Sequence, residues 1–425
     1  MTTDPAMGHA ERFARLTEVL ARWQGLWKPS PFAQRDWPWP VPDDSEPGVV
    51  LDRCEREALI AALMALDDAN CRWLQDDPFE DSPLATWLPV KTLARLVSVT
   101  QDHRSPGPLP ATWADHVGGR KWQQILAFAP QVGLGRHPPL IEWCAGKGHL
   151  SRLLARWRHT DVVGLEWQAS LCEQGRRLAV GQQARVRMAQ QDVMADEAQR
   201  WLGAGTAVAA LHACGDLHVR LLELARQQGV SVTLAPCCYQ RTRHRHYRPL
   251  SGLAQRLCQE SGLHLTREAL AMSVQETVTA TPAEQRQREL ANAWRLGFDE
   301  LQRDVRGIDD YLPVPSLAYG RMPATFAEFC RWAAERKGLA LSLDAAIGPD
   351  APHDWDAYEA AGWSRLARVN RLELVRHLFR RPLELWLVLD RALWLEEAGY
   401  TVELAQFCER RLTPRNLVLK ATPPT

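Results

Sequence analysis

From position 139 to position 236 the chain alternates short apolar runs with amphipathic stretches, and this alternation constrains the fold more than any other feature of the sequence. The apolar runs predict strands at 139–144, 161–166, 186–192, 207–213 and 230–236. The helical stretches between them lie at 148–157, 168–179, 195–202 and 216–228. Strands that alternate with helices form a parallel sheet with right-handed crossovers. The pattern therefore predicts an α/β fold with a doubly wound, Rossmann-like sheet.

The remaining residues predict helical regions before and after this alternation. Residues 1–135 are interpreted as a helical, Trp-rich N-terminal domain, and 136–240 as the first part of the Rossmann-like domain. Residues 241–380 predict a helical insertion after the fifth strand, and 381–425 complete the sheet. Apolar periodicity predicts helices at 8–27, 52–75, 89–100, 120–129, 250–261, 283–304, 324–336, 363–379 and 383–398. The last two strands are expected at 400–407 and 417–419.

The composition narrows the classes of protein that the chain can belong to. None of its apolar segments reaches the roughly 18 residues that span a bilayer, and the N-terminus lacks the pattern of a signal peptide, so a cytoplasmic location is expected without membrane attachment. The formal net charge is zero, so any binding of nucleic acid requires a local basic patch. The ten cysteines form no CxxC pair, which argues against a disulfide framework. We find no feature that indicates an obligate protein partner.

A Gly-x-Gly turn follows the first predicted strand and leads directly into a helical pattern. Gly146 and Gly148 allow the backbone to turn sharply and to approach a ligand closely, and the helix that follows offers its unpaired amides. Glu142 precedes this turn. A carboxylate there repels a pyrophosphate but suits the cationic amino-acid end of S-adenosylmethionine, so the turn predicts a site for this methyl donor.

Three acidic residues lie where the first three predicted strands end, which is the edge of such a sheet that binds ligands. We expect Glu142 to face the methionine ammonium through water, Glu166 to accept hydrogen bonds from both ribose hydroxyls, and Asp192 to accept one from the adenine amino group. The other predicted cofactor-binding residues are Ala145, Gly146, Gly148, His149 and His212. If Glu166 or Asp192 is considered alone, a solvated charge at a strand end explains it equally well.

A dinucleotide cofactor is the alternative occupant of this turn. It too requires an acidic residue near Glu166, about 20 residues beyond the glycines. A dinucleotide site prefers a third glycine, however, and position 151 is Ser. It also leaves Glu142 unexplained, so the methyl donor is favoured.

The fourth and fifth predicted strands end in residues that can serve the acceptor side of a transfer reaction. His212 and Asp216 are candidates to bind the acceptor or to take its proton, because histidine titrates near neutral pH. Alternatively, Asp216 caps the helix that begins at Leu217, and His212 donates to the backbone. Cys237 and Tyr239, at the end of the fifth strand, are added as catalytic candidates.

The adjacent cysteines Cys237 and Cys238 allow three interpretations. A Pro-Cys pair also occurs around the nucleophile of pyrimidine carbon methyltransferases, although there it follows the fourth strand. A metal site with His244 and His246 is conceivable, but adjacent cysteines are expected to point to opposite faces and the spacing is not typical of zinc sites. The third interpretation is a pair of buried structural thiols. No metal is therefore predicted.

The densest basic run of the chain, Arg241–Arg248, leaves the fifth strand beside the presumed active site. Its arginines can clamp phosphates, and its tyrosine can stack on bases. The predicted substrate-binding residues are Arg241, Arg243, Arg245 and Tyr247. The alternative is a solvated loop in a protein that is rich in arginine. The position beside the methyl group favours RNA.

Four motifs in this order resemble a known family. They are Glu142-x-x-Ala145-Gly146-Lys147-Gly148-His149-Leu150-Ser151-Arg152, Leu211–Leu217, Cys237–Tyr239 with Pro249–Ser251, and Leu412–Leu417. Together they resemble the methyltransferase domain of the proteins named ribosomal RNA adenine dimethylase domain-containing, and more distantly enzymes that methylate ribose in the tRNA acceptor stem. The resemblance spans about 120–425, apart from the insertion, and implies the fold and the methyl donor. The Asn/Asp-Pro-Pro-aromatic signature of adenine amino methylation is absent after the fourth strand.

These observations predict an S-adenosylmethionine-dependent methyltransferase that takes part in RNA modification, with rRNA or tRNA as the favoured acceptor. Protein or a small molecule is the alternative acceptor. A non-catalytic protein that binds the methyl donor in regulation or assembly is the alternative outside enzymes.

Overall fold

The computed structural model describes residues 7–39, 50–134, 136, 139–275, 281–315, 317, 320–339 and 354–424. Its strands are β1 (Thr100–Gln101), β2 (Leu140–Trp143), β3 (Val162–Glu166), β4 (Val186–Gln190), β5 (Ala207–Cys214), β6 (Ser231–Cys237), β7 (Thr401–Gln406) and β8 (Leu417–Thr422). Its α-helices are α1 (His9–Arg22), α2 (Gln24–Trp27), α3 (Arg53–Met64), α4 (Asp68–Asp76), α5 (Val90–Val97), α6 (Gly119–Phe128), α7 (His149–Trp157), α8 (Ala169–Gly181), α9 (Asp216–Gln228), α10 (Gly252–Ser261), α11 (Arg267–Met272), α12 (Pro282–Arg306), α13 (Phe326–Lys337) and α14 (Trp355–Glu396). Short 3-10 helices lie at Pro31–Ala33, Pro83–Thr86, Ala111–Ala114, Ala129–Gln131 and Asp196–Trp201.

The strands form one mixed sheet in the order β1-β7-β8-β6-β5-β2-β3-β4. Strands β4, β3, β2, β5 and β6 run parallel, and β8 is antiparallel to both β6 and β7. This arrangement confirms the predicted α/β, Rossmann-like class. Each predicted strand is present, within a few residues at its ends. Strand β1 was not predicted, because it consists of two exposed residues without an apolar pattern; it pairs with β7.

The helices differ from the predicted ranges in several places. The helix expected at 52–75 is two helices, because Asp67 caps α4 by accepting a hydrogen bond from the Asn70 amide at 2.7 Å. Residues 196–201 form a 3-10 helix rather than an α-helix. The helices expected at 363–379 and 383–398 are parts of α14, which continues through Pro382.

Pro382 cannot donate a backbone hydrogen bond and normally disrupts a helix. In α14 it lies among side chains that are completely buried, including Phe379, Leu383 and Trp386. Burial of side chains of this size contributes about 1.5–3 kcal/mol each, which offsets the local cost of the proline. Within the described ranges, no helix combines the length and apolar character that crossing a bilayer requires.

The chain divides into two compact units, and the division differs from the sequence-based ranges. The first unit comprises Met1–Arg22, Lys91–Thr279 and Phe379–Thr425, and it contains the sheet. Helix α1 belongs to this unit, since the ring centroids of Phe13 and Trp386 are stacked 4.9 Å apart. The Trp386 indole N–H also donates a hydrogen bond to Thr17 Oγ1 at 2.8 Å. The second unit comprises Trp23–Val90 and Ala280–Leu378.

The second unit is helical and contains a buried charge network. Asp299 is completely buried on α12, and its carboxylate lies 3.0 Å from Arg303 Nε and 2.7 Å from Arg365 Nη1. Arg365 also pairs with Glu300 at 2.8 Å. Buried charges are tolerated only when they are paired in this way. We find that this unit supplies none of the residues predicted for the cofactor.

Candidate functional site

The Gly-x-Gly turn joins β2 to α7 through left-handed backbone. Cys144, Gly146 and Gly148 have φ angles of 59°, 58° and 64°. A Cβ on Gly148 would approach the Met188 sulfur to 2.8 Å, whereas a Cβ on Gly146 would meet no atom within 4 Å. Gly148 is therefore required both for its conformation and for its close packing, and Gly146 for its conformation alone.

Glu142 is buried in β2 and is tied to the first turn of α7. Its Oε2 accepts hydrogen bonds from the Ser151 amide at 2.8 Å and from the Ser151 hydroxyl. Burial raises the pKa of Glu142 to about 7, although both Ser151 contacts and the charges of Lys121 and Arg152 act to lower it. In the sequence, Ser151 stands where a dinucleotide site prefers a third glycine, and nothing local links it to Glu142. In the structure Ser151 is the hydrogen-bond partner of Glu142.

Glu166 ends β3 and holds the glycine turn from the other side. Its Oε2 accepts from the Gly146 amide at 3.0 Å, and its Oε1 accepts from the Gln168 amide at 2.9 Å. Glu166, the residue predicted to bind the ribose, is therefore in contact with the glycine turn. Each carboxylate oxygen can accept a further hydrogen bond, as the two hydroxyls of a ribose require.

Asp192 is exposed after β4, and its Oδ1 accepts from the Met194 amide at 2.9 Å. Large apolar side chains follow two of the predicted acidic ligands and face solvent, with Trp167 65% exposed and Met194 40% exposed. Large exposed apolar side chains beyond the ends of β3 and β4 can pack against the two faces of an adenine ring. The sequence analysis missed both residues. Their signal was a bulky apolar residue one or two positions after each acidic residue.

Ala145 and His149, both predicted to bind the cofactor, support the turn by packing. Ala145 is buried against Cys172 and Met188. His149 is buried at the start of α7, and its Nδ1 lies 2.9 Å from Arg152 Nη2. Burial and the charge of Arg152 lower the pKa of His149 to about 3, so its ring is neutral and accepts from the guanidinium.

His212 lies at a bulge in β5, where its φ angle is 62°. Its Nε2 is 3.1 Å from Gln124 Oε1, and the Gln124 amide nitrogen donates to the Leu412 carbonyl at 3.1 Å. This second bond fixes the orientation of the Gln124 amide, so His212 Nε2 must carry the proton and Nδ1 the lone pair. Nδ1 is buried and has no hydrogen-bond partner among the described residues. Burial and the charge of Arg415 lower the pKa of His212 to about 4, so the ring is neutral at neutral pH.

Asp216 is the first residue of α9, and it holds the basic run against the end of β5. Its Oδ2 accepts from the Arg243 amide at 2.9 Å, and its own amide donates to the Arg241 carbonyl at 3.0 Å. A Cβ on Gly215 would lie 1.9 Å from that carbonyl oxygen, so only glycine permits this approach. The capping alternative is not observed, because the helix makes no side-chain cap at its N-terminus.

Three cysteine sulfurs meet at the ends of β5 and β6. Cys214, Cys237 and Cys238 have all their sulfurs within 4.8 Å of one another, and Cys214 Sγ lies 3.5 Å from Cys237 Sγ. Hydrogen bonds from the other two thiols, together with the charges of Arg415 and Arg241, lower the pKa of Cys238. Contacts within the cluster and burial raise the pKa of Cys237. Cys237, the predicted catalytic cysteine, is buried, whereas Cys214 and Cys238 are both partly exposed.

The two tyrosines predicted for catalysis and base stacking are held in the interior. Tyr239 is 2% exposed, and the Arg391 guanidinium lies 4.9 Å from its ring centroid. Tyr247 donates its hydroxyl proton to Asp390 Oδ2 at 2.6 Å and accepts from Arg391 at 3.1 Å. The Tyr247 hydroxyl is therefore bonded on both sides, whereas the buried Tyr239 hydroxyl has no hydrogen-bond partner among the described residues. The roles expected of the two tyrosines stay predictions. Arg241, Arg243 and Arg245 are exposed, as a substrate-binding role requires.

Comparison with known proteins identifies the domain that contains these residues. The family model described as "Methyltransferase domain" matches residues 120–245, which run from α6 to the basic run. No curated protein sequence matches the chain significantly. The matched region is therefore a methyltransferase domain with a Rossmann-like fold.

Solved structures give further similarities, all of them weak. A geranyl diphosphate methyltransferase in complex with GPP and sinefungin is 15% identical, with 43% of this chain and 66% of that chain covered and a TM-score of 0.23. The geranyl diphosphate C-methyltransferase from Streptomyces coelicolor A3(2) is 16% identical, with 43% and 76% covered and a TM-score of 0.24. The plantazolicin methyltransferase BpumL in complex with SAH is 11% identical, with 43% and 62% covered and a TM-score of 0.20. Similarities of this size assign no substrate.

Proposed function

We propose that RNA is the methyl acceptor of this chain, an S-adenosylmethionine-dependent methyltransferase whose Rossmann-like domain binds the methyl donor. The donor part is supported by one continuous edge of the sheet. The glycine turn contacts Glu166 there, Glu142 lies behind the first turn of α7, and Trp167 and Met194 present apolar faces to solvent. Glu166 suits the ribose hydroxyls of the methyl donor, and Glu142 suits its methionine ammonium. Trp167 and Met194 suit its adenine ring.

The observation that carries the RNA proposal is the attachment of the basic run to Asp216. The Asp216 carboxylate and the Asp216 amide each hydrogen-bond to the backbone of the run, and these bonds hold Arg241 and Arg243 beside the end of β5, where His212 lies. An exposed guanidinium group at that point can donate two parallel hydrogen bonds to one phosphate group. An RNA held there would present a hydroxyl or an amine close to the methyl donor.

Transfer requires in-line attack on the sulfonium methyl group. The acceptor oxygen or nitrogen forms a bond to the methyl carbon, the carbon–sulfur bond breaks, and its electron pair stays on the sulfur of S-adenosylhomocysteine. The candidate to take the acceptor proton is His212, whose ring is neutral and whose Nδ1 has a free lone pair that becomes accessible only if acceptor binding uncovers it. Positioning of the two substrates supplies most of the rate, and proton removal adds to it.

The favoured RNA is rRNA or tRNA, and the favoured compartment is the cytoplasm. The RNA class follows from the resemblance to the ribosomal RNA adenine dimethylase domain-containing proteins and to the tRNA ribose methyltransferases, whereas the compartment is an expectation from the composition of the chain. Protein and small molecules are the competing acceptors. A non-catalytic protein that keeps the donor pocket is the competing function.

A transfer assay with fractionated acceptors distinguishes these functions. Labelled methyl donor is incubated with the full chain and with RNA, protein and small-molecule fractions from a deletion strain. We expect label in the RNA fraction. Label confined to the protein or small-molecule fraction would replace RNA by that acceptor. Tight donor binding without transfer to any fraction would favour the non-catalytic function.

The salt dependence of binding tests the arginines. Each phosphate neutralised on single-stranded RNA contributes about 0.7 to the slope of log affinity against log salt concentration. We therefore expect R243A/R245A to make this slope shallower by about 1.4. The matched control is R15A/R177A, two exposed arginines outside the run. If both double variants keep the slope of the unmodified protein, the run does not bind RNA.

A further inference from the structure

The cysteine cluster formed by Cys214, Cys237 and Cys238 has no role in the proposed transfer reaction. Cys214 and Cys237 are paired residues of the neighbouring parallel strands β5 and β6, so their side chains project to the same face of the sheet. Cys238 follows with a φ angle of 48°, in the left-handed region that a non-glycine residue rarely adopts. This conformation turns its sulfur toward the other two. The expectation that adjacent cysteines point to opposite faces is therefore wrong here.

We propose that Cys214, Cys237 and Cys238 bind one zinc ion, with a water molecule as the fourth ligand. A zinc ion with Zn–S bonds of about 2.3 Å in tetrahedral geometry holds its sulfurs about 3.8 Å apart. The Cys214 and Cys237 sulfurs are 3.5 Å apart, and all three sulfurs lie within 4.8 Å of one another. Shifts of less than about 1 Å therefore convert the cluster into a three-sulfur face for the metal.

Three cysteine ligands favour zinc as the bound cation. Cysteine sulfur is a soft ligand, which binds zinc in preference to magnesium or calcium. Among the described residues, the group of His, Cys, Asp and Glu ligands that meet at this point consists of these three cysteines, so solvent takes the fourth position.

The surrounding charge fits a zinc-thiolate centre. Three thiolates and one zinc ion carry a net single negative charge, which needs compensation when it is partly buried. The guanidinium groups of Arg415 and Arg241 act on Cys238 from the side of the C-terminal segment and of the basic run. The bound ion would tie together the ends of β5 and β6, on which His212 and the basic run depend. This inference does not rest on the identity of the methyl acceptor.

Cobalt titration of the reduced full-length protein tests the proposal. Cobalt replaces zinc in thiolate sites and gives a cobalt–thiolate charge-transfer band. We expect the band to saturate at one equivalent of cobalt and to disappear when zinc is added. Absence of the band from the folded, reduced wild-type protein would overturn the proposal, whatever the variants do.

Cysteine variants then locate the site. Cys238→Ser alters a partly exposed member of the cluster that lies beyond the end of β6, so it is the variant least expected to disturb the sheet. We expect it to lose the band, and Cys258→Ser, a buried cysteine of α10 outside the cluster, to keep it. A band that survives in Cys238→Ser would overturn the proposal. Recovery of a Cys214–Cys237 disulfide from protein purified with zinc and a reductant would overturn it as well.

Discussion

The Glu142 carboxylate accepts hydrogen bonds from both the amide and the hydroxyl of Ser151, nine positions along the chain. These contacts join the end of β2 to the first turn of α7 across the glycine turn. A carboxylate near the N-terminus of a helix is stabilised by the helix dipole as well as by these donors. Burial nevertheless dominates, and the pKa of Glu142 is raised to about 7.

This raised pKa predicts a pH dependence of stability. The pKa of Glu142 is about 7 when folded and 4.5 in its unperturbed state, so the folded chain holds a proton that the unfolded chain releases between these values. The corresponding stability is complete below pH 4.5 and is lost as the pH rises through 7. Glu142→Gln keeps an acceptor for Ser151 but does not titrate.

We therefore expect the melting temperature of the wild-type protein to fall, relative to Glu142→Gln, between pH of about 5 and about 8. The difference in free energy of unfolding is about 3 kcal/mol at most. Differential scanning calorimetry at several pH values measures it. Parallel curves for the two proteins would show that Glu142 is already ionised in the fold.

Alanine substitutions at the two glycines of the turn are predicted to lower the stability of the fold by different amounts. Alanine at Gly146 adds only left-handed strain, about 1–2 kcal/mol, because its Cβ meets no atom within 4 Å. Alanine at Gly148 adds the same strain and also a contact of 2.8 Å with the Met188 sulfur. We expect G148A to lower the melting temperature more than G146A. In a double-mutant cycle, M188A should recover part of the loss in G148A, and strict additivity of G148A and M188A would contradict the close contact.

Trp167 is predicted to stack on the adenine of the methyl donor. Stacking of a base on an aromatic side chain contributes about 1–3 kcal/mol, so Trp167→Ala should weaken donor binding by about 5-fold to about 150-fold. Isothermal titration calorimetry with S-adenosylhomocysteine measures this change. Trp363→Ala is the matched control, since Trp363 is also an exposed tryptophan but belongs to the second unit. Equal affinities of the two variants would place the adenine elsewhere.

His212 is predicted to act on the acceptor. His212→Ala should lower kcat by about 100-fold or more, the range for loss of a general base, and leave the dissociation constant of the methyl donor unchanged. Gln124→Leu removes the partner that holds the proton on Nε2 and should lower kcat by a smaller factor. Single-turnover kinetics and donor titration separate these effects. A His212→Ala protein that binds the donor weakly but transfers at the normal rate would make His212 a cofactor ligand instead.

Much of the fold was predictable because strand and helix periodicities are local. The apolar runs identified each strand of the sheet except β1, and the acidic residues at the ends of three strands lie on one edge of that sheet. The predicted break between the last two helices is absent, because α14 continues through Pro382. The proline is a local signal, and burial against residues distant in the chain overrides it.

The site was less predictable, because residue spacing does not report which side chains meet. The alternating sheet, the glycine turn and the acidic strand ends were predictable from the amino-acid pattern, since all of them follow from backbone geometry over a few residues. Three contacts were not: Ser151 with Glu142, Tyr247 with Asp390, and Cys238 with Cys214. These contacts join residues from different strands and helices, so they depend on how the elements pack and not on the local pattern of any one of them.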